Sequence, residues 1–157
     1  MEQQIEVEVL LRDKDMSKFL IHHTYTRLGG VFGLLLSIVS VICLFVFWEQ
    51  FIPMQRWILG ILGLMFTVIQ PILLWSKGKK QLKQEIFQKP FHYIFGQKSA
   101  LVMQGDYKES FEYSSIRKVV ATKDAIYVYL SAVSAFILPR ECCQEQYVEL
   151  AKRLKEK

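Results

Sequence analysis

The sequence predicts a membrane α+β protein: a two-helix transmembrane hairpin joined to a cytoplasmic antiparallel sheet that a C-terminal helix closes. Three observations predict it. Leu28 to Trp48 and Trp57 to Ser76 are 21 and 20 residues without a charged side chain, each about the length that crosses the hydrocarbon core of a bilayer. After residue 91, short runs rich in β-branched and aromatic residues recur between turn signals. The chain then ends in an amphipathic helical pattern. Of 157 residues, 52% are hydrophobic and 22% charged, which excludes the low hydrophobicity and high charge of a disordered chain.

Residues 1–27 open with alternation, Ile5, Val7, Val9 and Leu11 against Glu6, Glu8 and Arg12, which reads as a half-buried strand. Asp13 or Asp15 is expected to cap a helix bearing Met16, Phe19, Leu20 and His23 on one face, running straight into the first span.

The spans, 28–48 and 57–76, form the hairpin 28–76. Both are apolar all round, unlike the amphipathic helices of soluble proteins. Two buried helices of a soluble bundle are the alternative, but the other 116 residues are too few to cover them. A cleaved signal peptide is disfavoured, because the first span begins 27 residues in and a second follows. The link Glu49–Arg56 is neutral, with Pro53 expected at its turn. Arg12, Lys14, Lys18 and Arg27 precede the first span, and Lys77, Lys79, Lys80, Lys83 and Lys89 follow the second. This distribution puts both termini in the cytoplasm, with Trp48 and Trp57 at the outer interface and Trp75 at the inner one. The location expected is a plasma membrane, crossed twice.

Gly29, Gly33 and Ser37 recur every four residues along the first span, and Gly60, Gly63 and Thr67 lie near one face of the second. Such stripes let helix backbones approach closely. They serve packing within the hairpin, or a homodimer or membrane-protein partner. Neither span contains Asp, Glu, Lys, Arg or His, so the proton relays and ion paths of transporters are not indicated.

Residues 77–90 form a basic juxtamembrane linker. Five lysines against Glu85 give +4 over 77–89, most of the chain's +5. Lys77, Lys79, Lys80 and Lys83 are the candidate contacts to anionic membrane lipids, at about 1 kcal/mol per basic residue near the surface. Fixing orientation alone is the plainer role. Nucleic acid is not an expected partner, since no basic face with interleaved aromatics extends beyond this patch.

In residues 91–157, strands are expected at FHYIF, ALVMQ, YKESFEY, IRKVVAT, AIYVYL and SAFIL, as an antiparallel meander. Turns are expected at Gly96–Ser99, Gly105–Asp106 and Lys123–Asp124. Pro139 ends the last strand. A helix then runs from Glu141 to Lys155, with Tyr147, Leu150, Ala151 and Leu154 as its apolar stripe. The N-terminal strand is expected to join this sheet, making the hairpin an insertion within one domain.

Catalytic chemistry is not indicated. The chain lacks G-x-S-x-G, P-loop and H-E-x-x-H patterns. Glu109 and Glu112 read as solvent-facing strand positions. His22 and His23 are adjacent, which does not face one metal from a helix. Cys142 and Cys143 are adjacent and lack the spacing of a metal site. A helix start can lower a thiol pKa, but one packed and one exposed structural cysteine is the expectation. No enzyme, cofactor, catalytic residue or metal site is assigned.

The segment from Tyr113 to Leu154 resembles the C-terminal domain of the YcxB-like family of bacterial membrane proteins. The matching positions are Ser115, Ile116, Lys118 and Val119 at a turn into a strand, Tyr127 and Tyr129 in an aromatic strand, and Ile137, Pro139 and Arg140 before the terminal helix. Ser114 stands where the family more often has Trp, and Arg140-Glu141 where Lys-Arg is common. The resemblance implies an N-terminal strand and two spans before this domain. It also implies a pleckstrin-homology-like half-barrel plugged by the last helix. It implies no activity. The function expected is a non-enzymatic, membrane-anchored interaction module that binds a protein or anionic lipid. The alternatives are an immunity protein against a secreted toxin or bacteriocin, and an accessory subunit of a transporter or secretion complex.

Overall fold

The computed structural model describes residues 4–156. Its contacts divide the chain into two compact units: Ser17–Lys80, and the residues up to Met16 together with those from Gln81 on.

In the sheet unit, β1 (Ile5–Val9) buries Ile5, Val7 and Val9 and turns Glu6 and Glu8 outward. It pairs antiparallel with β2 (Phe91–Phe95), placing Val9 opposite Phe91 and Ile5 opposite Phe95. The N-terminal strand therefore belongs to the same sheet as the C-terminal half, and everything from Leu10 to Pro90 is an insertion between paired strands. The sheet continues with β3 (Ser99–Gln104) and β4 (Tyr107–Glu112), in the order β1-β2-β3-β4. Gly105 joins β3 to β4 at φ 58°, where only glycine is unstrained.

The expected single meander is instead two sheets. A 3-10 turn at Tyr113–Ser115 ends the first. The second contains β5 (Lys118–Ala121), β6 (Ala125–Tyr129) and β7 (Ala135–Pro139), all antiparallel. The Tyr113 hydroxyl donates to the Gly96 carbonyl at 2.7 Å, tying the turn back to the end of β2. Phe136 of β7 stacks on Phe111 of β4 (5.2 Å) and meets Tyr93 of β2 edge-on (5.7 Å), so one aromatic cluster bridges both sheets.

The expected helix from Glu141 to Lys155 is broken. A short α5 (Arg140–Cys143) ends at Gln144, which takes φ 46°, and after a 3-10 turn α6 spans Tyr147–Lys155. The left-handed backbone at Gln144 redirects the chain so that Tyr147, Leu150 and Leu154 are buried in the core with Ile116, Ile126 and Leu138. Each fully buried aliphatic side chain contributes about 1.5–3 kcal/mol.

In the helical unit, α1 (Asp13–Tyr25) does not run on into the first apolar helix, α2 (Leu28–Val46). Thr26 and Arg27 break it, and Gly30 makes the break possible, since a Cβ there would lie 2.0 Å from the Thr24 carbonyl oxygen. Nor is either aspartate the cap: both lie within the first turn, and Asp15 accepts a hydrogen bond from the Arg12 backbone N–H at 3.1 Å. After a short 3-10 turn at Trp48–Gln50, α3 runs from Pro53 to Leu82. Pro53 is its first residue rather than a loop turn, consistent with a fixed φ and an N–H that needs no partner there. The helix thus begins before 57 and continues past 76 through the lysine-rich segment. The short α4 (Glu85–Gln88) follows it.

Both α2 and α3 are long and apolar enough to cross a membrane. Their apolar side chains point outward: Leu28, Phe32, Phe45 and Trp57 are each more than two-thirds exposed.

Candidate functional site

Three places carry the residues singled out in the sequence: the seam between α2 and α3, the basic end of α3, and the polar features of the sheet unit.

On α2 the buried positions are Gly30, Gly33, Ser37 and Ser40; Gly30 lies against Thr24 and Tyr25, and Gly33 and Ser37 lie against α3. A Cβ on Gly33 would sit 2.1 Å from Phe66 Cε1, and one on Gly63 would sit 2.6 Å from Val41 Cγ2. Gly33, Ser37 and Gly63 are therefore brought together inside the hairpin. Gly29 and Gly60 are not: a Cβ at either meets nothing within 4 Å.

The seam also holds polar chemistry that spacing did not reveal. Pro71 sits within α3, and the preceding turn, Met65–Ile69, widens to a π-helix. Proline lacks the N–H that would bond the carbonyl four residues back, and its ring crowds that carbonyl. Gln70 N–H bonds the Met65 carbonyl, so the Phe66 carbonyl loses its α-helical donor, and the next residue, Pro71, has none to offer. The Tyr25 hydroxyl donates to that carbonyl instead. Buried Ser37, in turn, stands between two groups that an α-helix would pair. Its hydroxyl donates to the Leu62 carbonyl at 2.9 Å and accepts from Phe66 N–H at 3.3 Å. The only signal available for this in the sequence was Pro71 opposite a serine in an apolar helix.

At the basic end, Lys77, Lys79 and Lys80 are exposed on the last turns of α3, and Lys83 is exposed just beyond it. Gly78, in their midst, is buried on α1, where a Cβ would come within 2.6 Å of Ser17 Oγ. Packing one side of the helix there leaves the lysines pointing away. Lys79 Nζ lies 4.6 Å from the Trp75 ring centre, and at the other end Arg56 lies 4.6 Å from that of Trp48. Trp57 and Trp75, 18 positions apart, are separated by about 27 Å of helix rise.

In the sheet unit, Glu141 accepts from Lys14 Nζ at 2.6 Å and from the Arg12 guanidinium. These hydrogen bonds, Lys14's first, hold its carboxyl down to about 2. Burial pushes the Cys143 thiol up to about 12 and raises half-buried Cys142 as well, the opposite of an activated thiolate. Tyr127 is likewise pushed up to about 12 by burial. Glu109 and Glu112 face solvent. Among the described residues no three metal-ligating side chains cluster. Two open clefts lie at the β1–α1 connection (Leu10, Leu11, Arg12, Leu82, Phe87) and around α4 (Ile86, Lys89, Gln104). Neither gathers an acid, a base and a nucleophile.

No curated protein and no solved structure matches the chain. Residues 98–153, from the β2–β3 turn through most of α6, match the family described as YcxB-like protein, so the C-terminal part of this chain is a YcxB-like domain.

Proposed function

We propose that the protein is a non-enzymatic module held in the bacterial plasma membrane by the α2–α3 hairpin. The sheet unit lies in the cytoplasm as a pleckstrin-homology-like half-barrel, ready to bind a protein or anionic lipid. The observation that carries this reading is the outward-facing apolar surface of α2 and α3 around a polar interior. A soluble protein hides such side chains, whereas lipid solvates them and requires every backbone group to be satisfied internally. Tyr25 and Ser37 supply that internal satisfaction at the π-turn. Four strands, then three, then a closing helix support the half-barrel. Lys77, Lys79, Lys80 and Lys83 support an inner-leaflet contact with anionic headgroups, and a cytoplasmic location for both termini.

The test is extraction and labelling. The chain is expected to stay in membranes through alkaline carbonate. A cysteine at Gln50 should react with an impermeant maleimide from outside intact spheroplasts, and one at Ser99 only after permeabilisation. Release by carbonate, or labelling at Ser99 from outside, overturns the reading. Replacing the four lysines by glutamine should reduce the phosphatidylglycerol retained by the purified chain in native mass spectrometry.

A further inference from the structure

An antiparallel sheet with one face on the core presents polar side chains on the other. The β1–β4 sheet departs from this. Its outward positions Ile94, Leu101 and Met103 are apolar, adjacent and only partly buried. The strand register arranges the outward residues in two rows. One reads Glu8, His92, Met103, Lys108 across β1 to β4, and the next reads Glu6, Ile94, Leu101, Ser110.

We infer that this face docks a second copy of the same chain, about a two-fold axis parallel to the strands. That rotation reverses strand order and keeps position along the strands. Each row then lies over its own reverse. Glu8 meets Lys108 of the other copy, His92 meets Met103, and Ile94 meets Leu101, so a carboxylate at one edge of each sheet faces a lysine at the opposite edge of its mate. The alternative in-plane axis sets β1 over β1 and faces Glu6 and Glu8 with themselves. Within one chain, Glu8 has the His92 imidazole 3.7 Å away, and among the described residues no carboxylate pairs with Lys108. Two-fold contacts are self-complementary in this way, and stacked sheets sit about 10 Å apart.

Four strands of five to six residues cover roughly 400 Å², about half the share per partner of a standard interface. Such a contact is weak in dilute solution. It becomes significant when both copies are confined to one membrane, which raises their effective concentration. In that respect the inference rests on the membrane reading above.

The experiment uses the full chain reconstituted in phosphatidylcholine–phosphatidylglycerol vesicles, a zero-length carbodiimide crosslinker and peptide mass spectrometry. Within one chain, β1 and β4 are three strand spacings apart, about 14 Å, so a Glu8–Lys108 link forms only between copies. The expected result is that link. It should fall at least tenfold in Glu8→Lys and in Lys108→Glu, and return in the double exchange, with circular dichroism unchanged throughout. A chain that floats with the vesicles yet gives no such link overturns the inference and leaves the membrane reading standing. So does a double exchange that fails to restore it, or a dimer linked only through the hairpin. If the chain does not float, the membrane reading fails. The same crosslinking at high concentration in solution then decides this face, the link supporting it and its absence overturning it.

Discussion

Removing the Tyr25 hydroxyl tests the account of the π-turn most directly. In the wild-type chain, the Phe66 carbonyl has lost Gln70 as a donor to Met65 and faces Pro71, which has no N–H; Tyr25 covers it. Tyr25→Phe leaves the carbonyl bare. An unsatisfied buried polar group costs about 1–3 kcal/mol, and hydrogen bonds between membrane helices average about 0.6 and reach about 1.7. A destabilisation of about 1–1.5 kcal/mol is expected. The same substitution in a Pro71→Ala background should cost less than about 0.5 kcal/mol, because the N–H restored at position 71 can take the Phe66 carbonyl. The coupling of about 1 kcal/mol is read from a double-mutant cycle. Unfolding of the detergent-solubilised chain is titrated with sodium dodecyl sulfate and followed by tryptophan fluorescence. Equal costs in both backgrounds would refute the reasoning, because Tyr25 would then not be substituting for a missing backbone donor.

Three further outcomes are expected. Gly33→Ala should lower hairpin stability by about 1–3 kcal/mol through overpacking against Phe66, whereas Gly60→Ala, with open space at its Cβ, should be neutral or stabilising by up to about 1 kcal/mol from helix propensity; the same titration compares them. Because the Glu141 carboxyl is depressed to about 2 from 4.5, its contribution to stability is present above about pH 4.5 and is lost as pH falls toward 2. Glu141→Gln should abolish that acid-range slope in melting temperature. Burial raises both thiols of the Cys142–Cys143 pair, so at pH 8 iodoacetamide should leave Cys143 unmodified until denaturant is added, as mapped by mass spectrometry.

Alternation located β1, and β-branched and aromatic runs between turn residues located the other six strands, because both are local properties. The division into two sheets was not legible. It depends on the Tyr113 hydroxyl reaching the Gly96 carbonyl and on Phe136 packing between Phe111 and Tyr93, and neither contact has a local signature. The helix break at Gln144 was missed for a related reason. Glutamine is an ordinary helix residue, and its left-handed backbone is held by burial of Cys143 on one side and Tyr147 on the other. In the hairpin, Gly33, Ser37 and Gly63 lie in the seam as small residues in an apolar helix predict, but the four-residue stripe does not extend to Gly29. Gly30 is buried instead, against Thr24 and Tyr25, and Gly29 is turned away.

The insertion has a consequence for how the sheet closes. Val9 and Phe91 are cross-strand partners, so pairing β1 with β2 closes a loop of about 80 residues. Loop-closure entropy grows only as about (3/2)RT ln n, so the length itself is tolerable. The hairpin shortens it further. Once α2 and α3 are packed through Gly33, Ser37 and Gly63, the two ends of the insertion are no longer independent, and the effective loop is a fraction of its contour. Anything that loosens the seam should therefore weaken β1 pairing before it weakens β2–β4, whose connections are short turns. Native-state hydrogen exchange separates the two, since Gly33→Ala should speed exchange at the amides of β1 and leave those of β3 protected. Uniform acceleration across the sheet would mean that β1 is held by its own core contacts at Ile5, Val7 and Val9 and not by the closure of the hairpin.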